Sequence, residues 1–161
     1  MKRFASQPVR SRAQIQRRNL PLLLLQARES VLAWFRPLLN AQGITEQQWR
    51  IVRAISDTGP LEPREIVALC GISSPSLAGV LARMESIGLV QRKRLEHDQR
   101  RVRISLTATS RSLVARMAPK VEATYAALEQ RIGRERLQSL HAALDDLMEL
   151  LGPPAEDAAQ E

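Results

Sequence analysis

The residues in this chain best suited to chemistry form one run: Glu96-His97-Asp98-Gln99-Arg100-Arg101-Val102-Arg103-Ile104-Ser105-Leu106-Thr107. Six arginines or lysines fall between Arg92 and Arg103. A planar guanidinium donates in a fixed fork that fits phosphate oxygens and the acceptor edge of guanine. The run follows a short helical unit, Ser73 to Gly88, by less than ten residues. Its chemistry is therefore polyanion recognition: a helix for the major groove, and an arginine hairpin for the backbone and minor groove. The simpler alternative for the hairpin is a solvated two-stranded edge whose charge serves solubility.

The run offers little to catalysis. Asp98 lies close to His97 and Ser105, but no nucleophile turn, phosphate loop or metal array accompanies them. Cys70 is the only cysteine, so an intrachain disulfide and a cysteine zinc site are both excluded. It suits a small buried hydrophobe better than a redox sensor. No cofactor is implied, and the chain is expected not to be an enzyme.

The elements that position the run follow from periodicity. A first helix is expected from Leu20 or Pro21 to about Asn40, capped by Asn19, with Leu24, Ala27, Val31, Phe35 and Leu38 at helical spacing. Pro37 should bend or end it. Thr45 with Glu46, Gln47 and Gln48 forms a capping box, opening a second helix that runs to about Ser56. Asp57-Thr58-Gly59-Pro60 is a turn, and a short third helix covers about Pro63 to Leu69. Ser73 caps a fourth helix whose apolar stripe is Leu77, Val80, Leu81 and Met84, closed by Ile87. Its other face carries Ser74, Ser76, Gly79 and Arg83, and suits either groove entry or simple solvation.

Leu89 to Leu95 and Arg101 to Ser105 read as paired strands, with Glu96 to Arg100 as the tip. Alternation turns Val102 and Ile104 toward the core, and Arg101 and Arg103 away from it. Thr107 caps a fifth helix, about Ala108 to Ile132, containing Pro119, with Tyr125 among its apolar positions. A sixth follows from about Arg134 to Leu151. The expected fold is mainly α with a β wing: a winged helix-turn-helix carrying long N- and C-terminal helices. Those helices are longer than so small a core needs, which points to a homodimer built on their apolar stripes.

The 161 residues carry a net charge of +7, and all but three of the basic residues are arginine. Residues 1–18 hold six basic residues and no acidic one, suiting either a basic arm on DNA or a frayed terminus. A single domain is expected over 19–151, with a core of about 45–107, flanking helices of about 20–40 and 108–151, and a polar tail at 152–161. The apolar run Leu20 to Leu25 is too short for a membrane span and lacks a nearby cleavage site, so a cytoplasmic protein is expected.

Asp98-x-Arg100, Val102 and Leu106-Thr107, together with Ile72-Ser73, Leu77 and Glu85-Ser86-Ile87-Gly88-Leu89-Val90, resemble the MarR family of winged helix-turn-helix transcription regulators. The resemblance covers roughly residues 20–151. Arg17-Arg18-Asn19-Leu20-Pro21-Leu22-Leu23-Leu24-Leu25 with Gln26-Ala27-Arg28-Glu29 further resembles the family's homoprotocatechuate-degradation repressor branch, which is related to regulators of other aromatic-acid catabolism, including nicotinate.

The resemblance implies a cytoplasmic homodimer on a pseudo-palindromic DNA duplex, repressing a catabolic operon until a small aromatic carboxylate releases it. Dual activation and repression is the variant reading. A basic protein-interaction module is the competing class. Arg100 would enter the minor groove, held by Asp98. Ser73, Ser74, Ser76 and Arg83 would serve the major-groove helix, and Arg101 and Arg103 the backbone. The family also implies an effector pocket between the DNA-binding lobe and the dimer helices, for which Arg28, Ser30, Trp34 and Trp49 are the candidates. Both tryptophans also suit plain core positions, and Arg28 also suits pairing with a glutamate.

Overall fold

The computed structural model describes residues 17–95 and 98–152. The basic arm expected over most of residues 1–18, the hairpin residues Glu96 and His97, and nearly all of the polar tail lie outside them.

Helix α1 spans Leu20–Ala41. Asn19 caps it through Oδ1, which accepts from the Leu22 backbone N–H at 3.0 Å. Of the bend or end expected at Pro37, the end does not occur: α1 runs to Ala41, close to its expected limit near Asn40. Only Phe35 and Leu39 of α1 are buried. Helix α2, Glu46–Thr58, opens with the expected capping box and supplies Ile51, Val52 and Ile55 to the core. Gly59, at φ 89°, makes the turn that an L side chain would strain.

Helices α3 (Pro63–Cys70) and α4 (Ser74–Ser86) meet at 110°, the angle of a helix-turn-helix. Gly71, left-handed at φ 57°, makes that corner possible. Leu77, Leu81 and Met84 bury the inner face of α4. Ile87 does not close that stripe and is 53% exposed. It lies one residue past the helix, where the 3.6-residue period no longer sets direction. Ser73 occupies the N-cap position, but its hydroxyl donates to Ser76 Oγ at 2.9 Å and does not cap α4.

Strands β1 (Val90–Leu95) and β2 (Asp98–Leu106) pair antiparallel. The ladder extends beyond the expected second strand at both ends, so Asp98, Gln99 and Arg100 belong to β2 and not to the tip. Leu61, just before α3, exchanges both backbone hydrogen bonds with Ile104, at 3.0 and 2.7 Å. Helix α5, Ala108–Ile132, is capped by Thr107 and runs through Pro119. Helix α6, Arg134–Leu151, buries no residue, and Leu140, Met148, Leu150 and Leu151 are exposed.

Candidate nucleic-acid interface

Ser73, Ser74, Ser76 and Arg83 are all exposed along α4. Small side chains dominate this face, so the helix backbone can approach another surface closely. With Ser73 bonded sideways to Ser76, no side chain caps the first turn of α4, where the positive end of the helix dipole favours an anion.

The strand register sorts the wing's charges. Arg92 lies opposite Ile104, so it shares the inward face, and it reaches back to Glu85 of α4 at 3.1 Å. Lys93 lies opposite Arg103, and both are exposed. Like charges directly across a ladder repel, a local cost that a polyanion would remove. Between the pairs Arg94–Val102 and Leu95–Asp98 the register shifts, leaving Gln99, Arg100 and Arg101 in a bulged stretch. Backbone position places Asp98 and Arg100 at the outer end of the wing, while their expected side-chain contact lies outside what the structure describes. Arg101 is exposed along its length but pairs with the buried carboxylate of Glu62. That pairing holds the Glu62 carboxyl below the usual carboxylate value, with Arg64 and Arg103 adding to the effect.

The wing is fastened at its base. Thr107 Oγ1 donates to the Gly88 carbonyl at 2.6 Å, and Arg111 Nη1 to the Leu106 carbonyl at 2.7 Å. The fully buried Ser110 hydroxyl donates to the Leu89 carbonyl. The first turn of α5 thus holds both the α4–β1 turn and the end of β2.

The four effector candidates have the following surroundings. Arg28 pairs with Glu29 at 2.9 Å and with Glu46 of α2 at 2.5 Å. Ser30 donates to its own helix, at the Gln26 carbonyl 2.9 Å away. Trp34 is 43% exposed, and Trp49 is half-buried against the core.

Two further residues were missed from the sequence. Arg53 follows Trp49 by one helical turn and bonds Asp57 at 2.7 Å. That bond raises its pKa, and the Tyr125 and Glu122 charges of α5 add to the rise. Tyr125 packs on Phe35, centroid to centroid at 5.0 Å. Arginine at i+4 from a tryptophan was a legible signal, whereas Tyr125 was absorbed into an apolar stripe. A separate cavity of about 230 Å³ lies where α2, β2 and α5 meet, lined by Ile55, Ser56, Gly59, Pro60, Ser105, Leu106 and Arg111. None of the four candidates lines it.

Among the described residues no three His, Cys, Asp or Glu side chains group to hold a metal ion. No single helix there is long and apolar enough to cross a membrane.

A recognition helix held at 110° to its partner, with a charged hairpin fastened beside it, puts the chain among the winged helix-turn-helix proteins that bind DNA to regulate transcription. Known proteins narrow that class. The MarR family model matches residues 44–102. The HTH-type transcriptional regulator FarR of Neisseria gonorrhoeae is 39% identical over 127 residues, covering 79% of this chain and 87% of that one. The homoprotocatechuate degradative operon repressor of Escherichia coli is 37% identical over 139 residues, covering 86% and 94%. The crystal structure of NadR in complex with 4-hydroxyphenylacetate is 38% identical, with a TM-score of 0.73, covering 85% and 97%. The chain belongs to the MarR family. These relatives match it to similar degrees, so the resemblance to the homoprotocatechuate branch does not set that branch apart.

Proposed function

We propose that the chain is a homodimeric, sequence-specific repressor of a catabolic operon, released by a small aromatic or heteroaromatic carboxylic acid. The observation that carries the reading is the exposed serine–arginine face of α4 beside the outward Lys93–Arg103 pair. One surface enters a groove while the other tracks its phosphates. In this reading Ser73, Ser74, Ser76 and Arg83 serve the major groove, Arg103 the backbone, and Arg100, steadied by Asp98, the minor groove. The exposed apolar residues of α1 and α6 form the dimer seam. Two protomers would then set their recognition helices one helical turn, about 34 Å, apart on a pseudo-palindromic operator in the cytoplasm.

Two relatives support the effector class: one is named for homoprotocatechuate degradation, and NadR was crystallised with 4-hydroxyphenylacetate. Arg28, Ser30, Trp34 and Trp49 on α1 and α2 are the candidates for binding such an acid, with Arg53 as a further cation and Tyr125 as a further ring face. A ligand favouring the lobe spacing that misfits DNA lowers operator affinity by about 5- to 150-fold, the usual range of such coupling.

The test is a mobility shift on the duplex upstream of the gene with excess random competitor, followed by thermal-shift screening with hydroxylated aromatic and pyridine carboxylates. Selective retardation of that duplex, reversed by a stabilising acid, is the expected result. Equal binding to random duplex rejects sequence-specific repression and favours the basic interaction module. Arg100→Ala should weaken operator binding while leaving the dimer intact, and an unchanged salt-resolved curve removes Arg100 from the interface.

A further inference from the structure

Glu62 is an oddity on a surface built to meet a polyanion. Among the described residues it is the one acidic side chain in the buried class, and its carboxylate is only 9% exposed. Charge complementarity with DNA gives no reason to keep it. Its neighbourhood does.

Residue 61 is joined to β2 through its backbone, at Ile104. Residue 62 is joined to the same strand through its side chain, at Arg101. The other fastenings hold the base of the wing, through Thr107, Ser110 and Arg111, and tie Arg92 to Glu85; the Glu62–Arg101 pair adds an attachment three residues nearer the tip than Ile104. The Glu62 backbone is itself fixed, donating its N–H to Glu65 Oε2 at 2.6 Å at the start of α3. Arg101 also lies in the bulged stretch where β1 offers no in-register partner. The ion pair supplies a fixed point where the ladder does not, one residue before the strand continues to Arg100 and the tip.

We propose that Glu62 is a positioning residue for DNA recognition: through Arg101 it sets the angle at which the wing leaves the helix-turn-helix, and so contributes to operator selectivity without touching DNA. The inference rests on the repressor reading above and assigns Arg101 to the tether as well as to the basic surface.

The sign of the effect separates this role from charge alone. Deleting a carboxylate from a DNA-binding lobe raises the local positive potential, which by itself tightens binding to any duplex. A tether predicts the opposite for the operator only.

The experiment uses the full chain as wild type, Glu62→Gln, Arg101→Ala, Arg101→Lys, and the Glu62→Gln/Arg101→Ala double variant. Each is titrated against the upstream operator duplex and against a random duplex of equal length, with dimer mass and melting temperature as controls. Glu62→Gln should weaken operator binding about five- to tenfold, the size of a typical contact coupling, while random-duplex binding is equal or tighter. Arg101→Lys, which keeps the ion pair, should retain most of the selectivity. The double variant should be no less selective than Arg101→Ala. If Glu62→Gln changes binding to both duplexes equally, or tightens both, the inference is overturned. If Glu62→Gln does not fold, Arg101→Ala against Arg101→Lys decides in the same way, because equal selectivity of the two overturns the tether. A wild type that does not prefer its operator overturns the repressor reading, and the inference falls with it.

Discussion

Ile104 and Arg103 are adjacent on β2 and should separate stability from DNA binding. Ile104 is fully buried, its backbone N–H and C=O both bond Leu61, and on its other side β2 runs in register with β1, Ile104 opposite Arg92. A strand pinned in this way cannot move in to fill space left by a truncated side chain. Ile104→Ala therefore belongs in the upper half of the range for large-to-small core changes, about 3.5–5 kcal/mol. For a chain of this length that corresponds to a fall in Tm of roughly 10 °C. Arg103→Ala, on the outer face, should change stability by less than about 0.5 kcal/mol. In DNA titrations across a salt series the order reverses. Arg103→Ala should flatten the log–log salt dependence by about one unit, the loss of one phosphate contact, and Ile104→Ala should leave the slope of the folded protein unchanged. The measurements are thermal melts at fixed protein concentration, since dimerisation is linked to stability, and fluorescence anisotropy from low to moderate salt. A loss below about 1 kcal/mol for Ile104→Ala, or an unchanged slope for Arg103→Ala, would refute the inward–outward assignment of the wing.

Three further perturbations follow from the same contacts. Glu62 has a depressed folded-state pKa, so its ion pair contributes stability above the ordinary carboxylate value of 4.5 and loses it as pH falls through the depressed value. Glu62→Gln should accordingly be less stable than wild type in urea at pH 7, with the gap closing in acid, and a gap constant with pH rejects the ion pair as its source. Burial pushes the Cys70 thiol above its usual pKa, so native protein at neutral pH should react with a thiol reagent only as fast as it opens; immediate labelling rejects the buried placement. Ser110→Ala removes a buried hydroxyl whose acceptor, the Leu89 carbonyl, keeps only a 3.4 Å bond from Thr107. It should cost about 1–2 kcal/mol and reduce effector-driven release of operator more than operator affinity. Equal reduction of both, measured in the same anisotropy titration, rejects the coupling role.

Elements governed by local rules were legible in the sequence. Both long helices after the wing match their expected limits, because Thr107, Gly133 and Gly152 mark their ends with capping and turn chemistry. The Thr45 box and the inward placement of Ile104 were equally readable, since each depends on fixed spacing along one element. The departures came where a distant partner decides. Ser73 looks like a cap, yet Ser76 draws its hydroxyl sideways. Arg101 looks like a phosphate ligand, yet a carboxylate 39 positions away holds it. Arg28 suits an effector anchor or a glutamate's partner, and which glutamate it meets, Glu46, is set by a helix–helix contact that no periodicity encodes. Of the two outcomes Pro37 offers, a bend or an end, the end does not occur; removing one hydrogen bond does not end a helix whose next turn is anchored by the buried Leu39.

The way α5 is attached at its two ends gives a physical route from effector to DNA. Its first turn holds the wing base through Thr107, Ser110 and Arg111. Fifteen residues beyond Ser110, Tyr125 packs on Phe35 of α1. At 1.5 Å per residue those points are about 22 Å apart on one continuous helix. In the proposed reading an effector ring beside Tyr125 would tilt α5, and the tilt would reach the α4–β1 turn through side chains already bonded to it. The required motion is small, because two recognition helices must keep a fixed spacing on the duplex and each protomer's tilt contributes to it. Coupling of about 1–3 kcal/mol per ligand would then release the operator without unfolding any element. The same stiffness explains why the wing needs a second anchor at Glu62: a lever moves its load usefully only if the load is held rigidly at its far end.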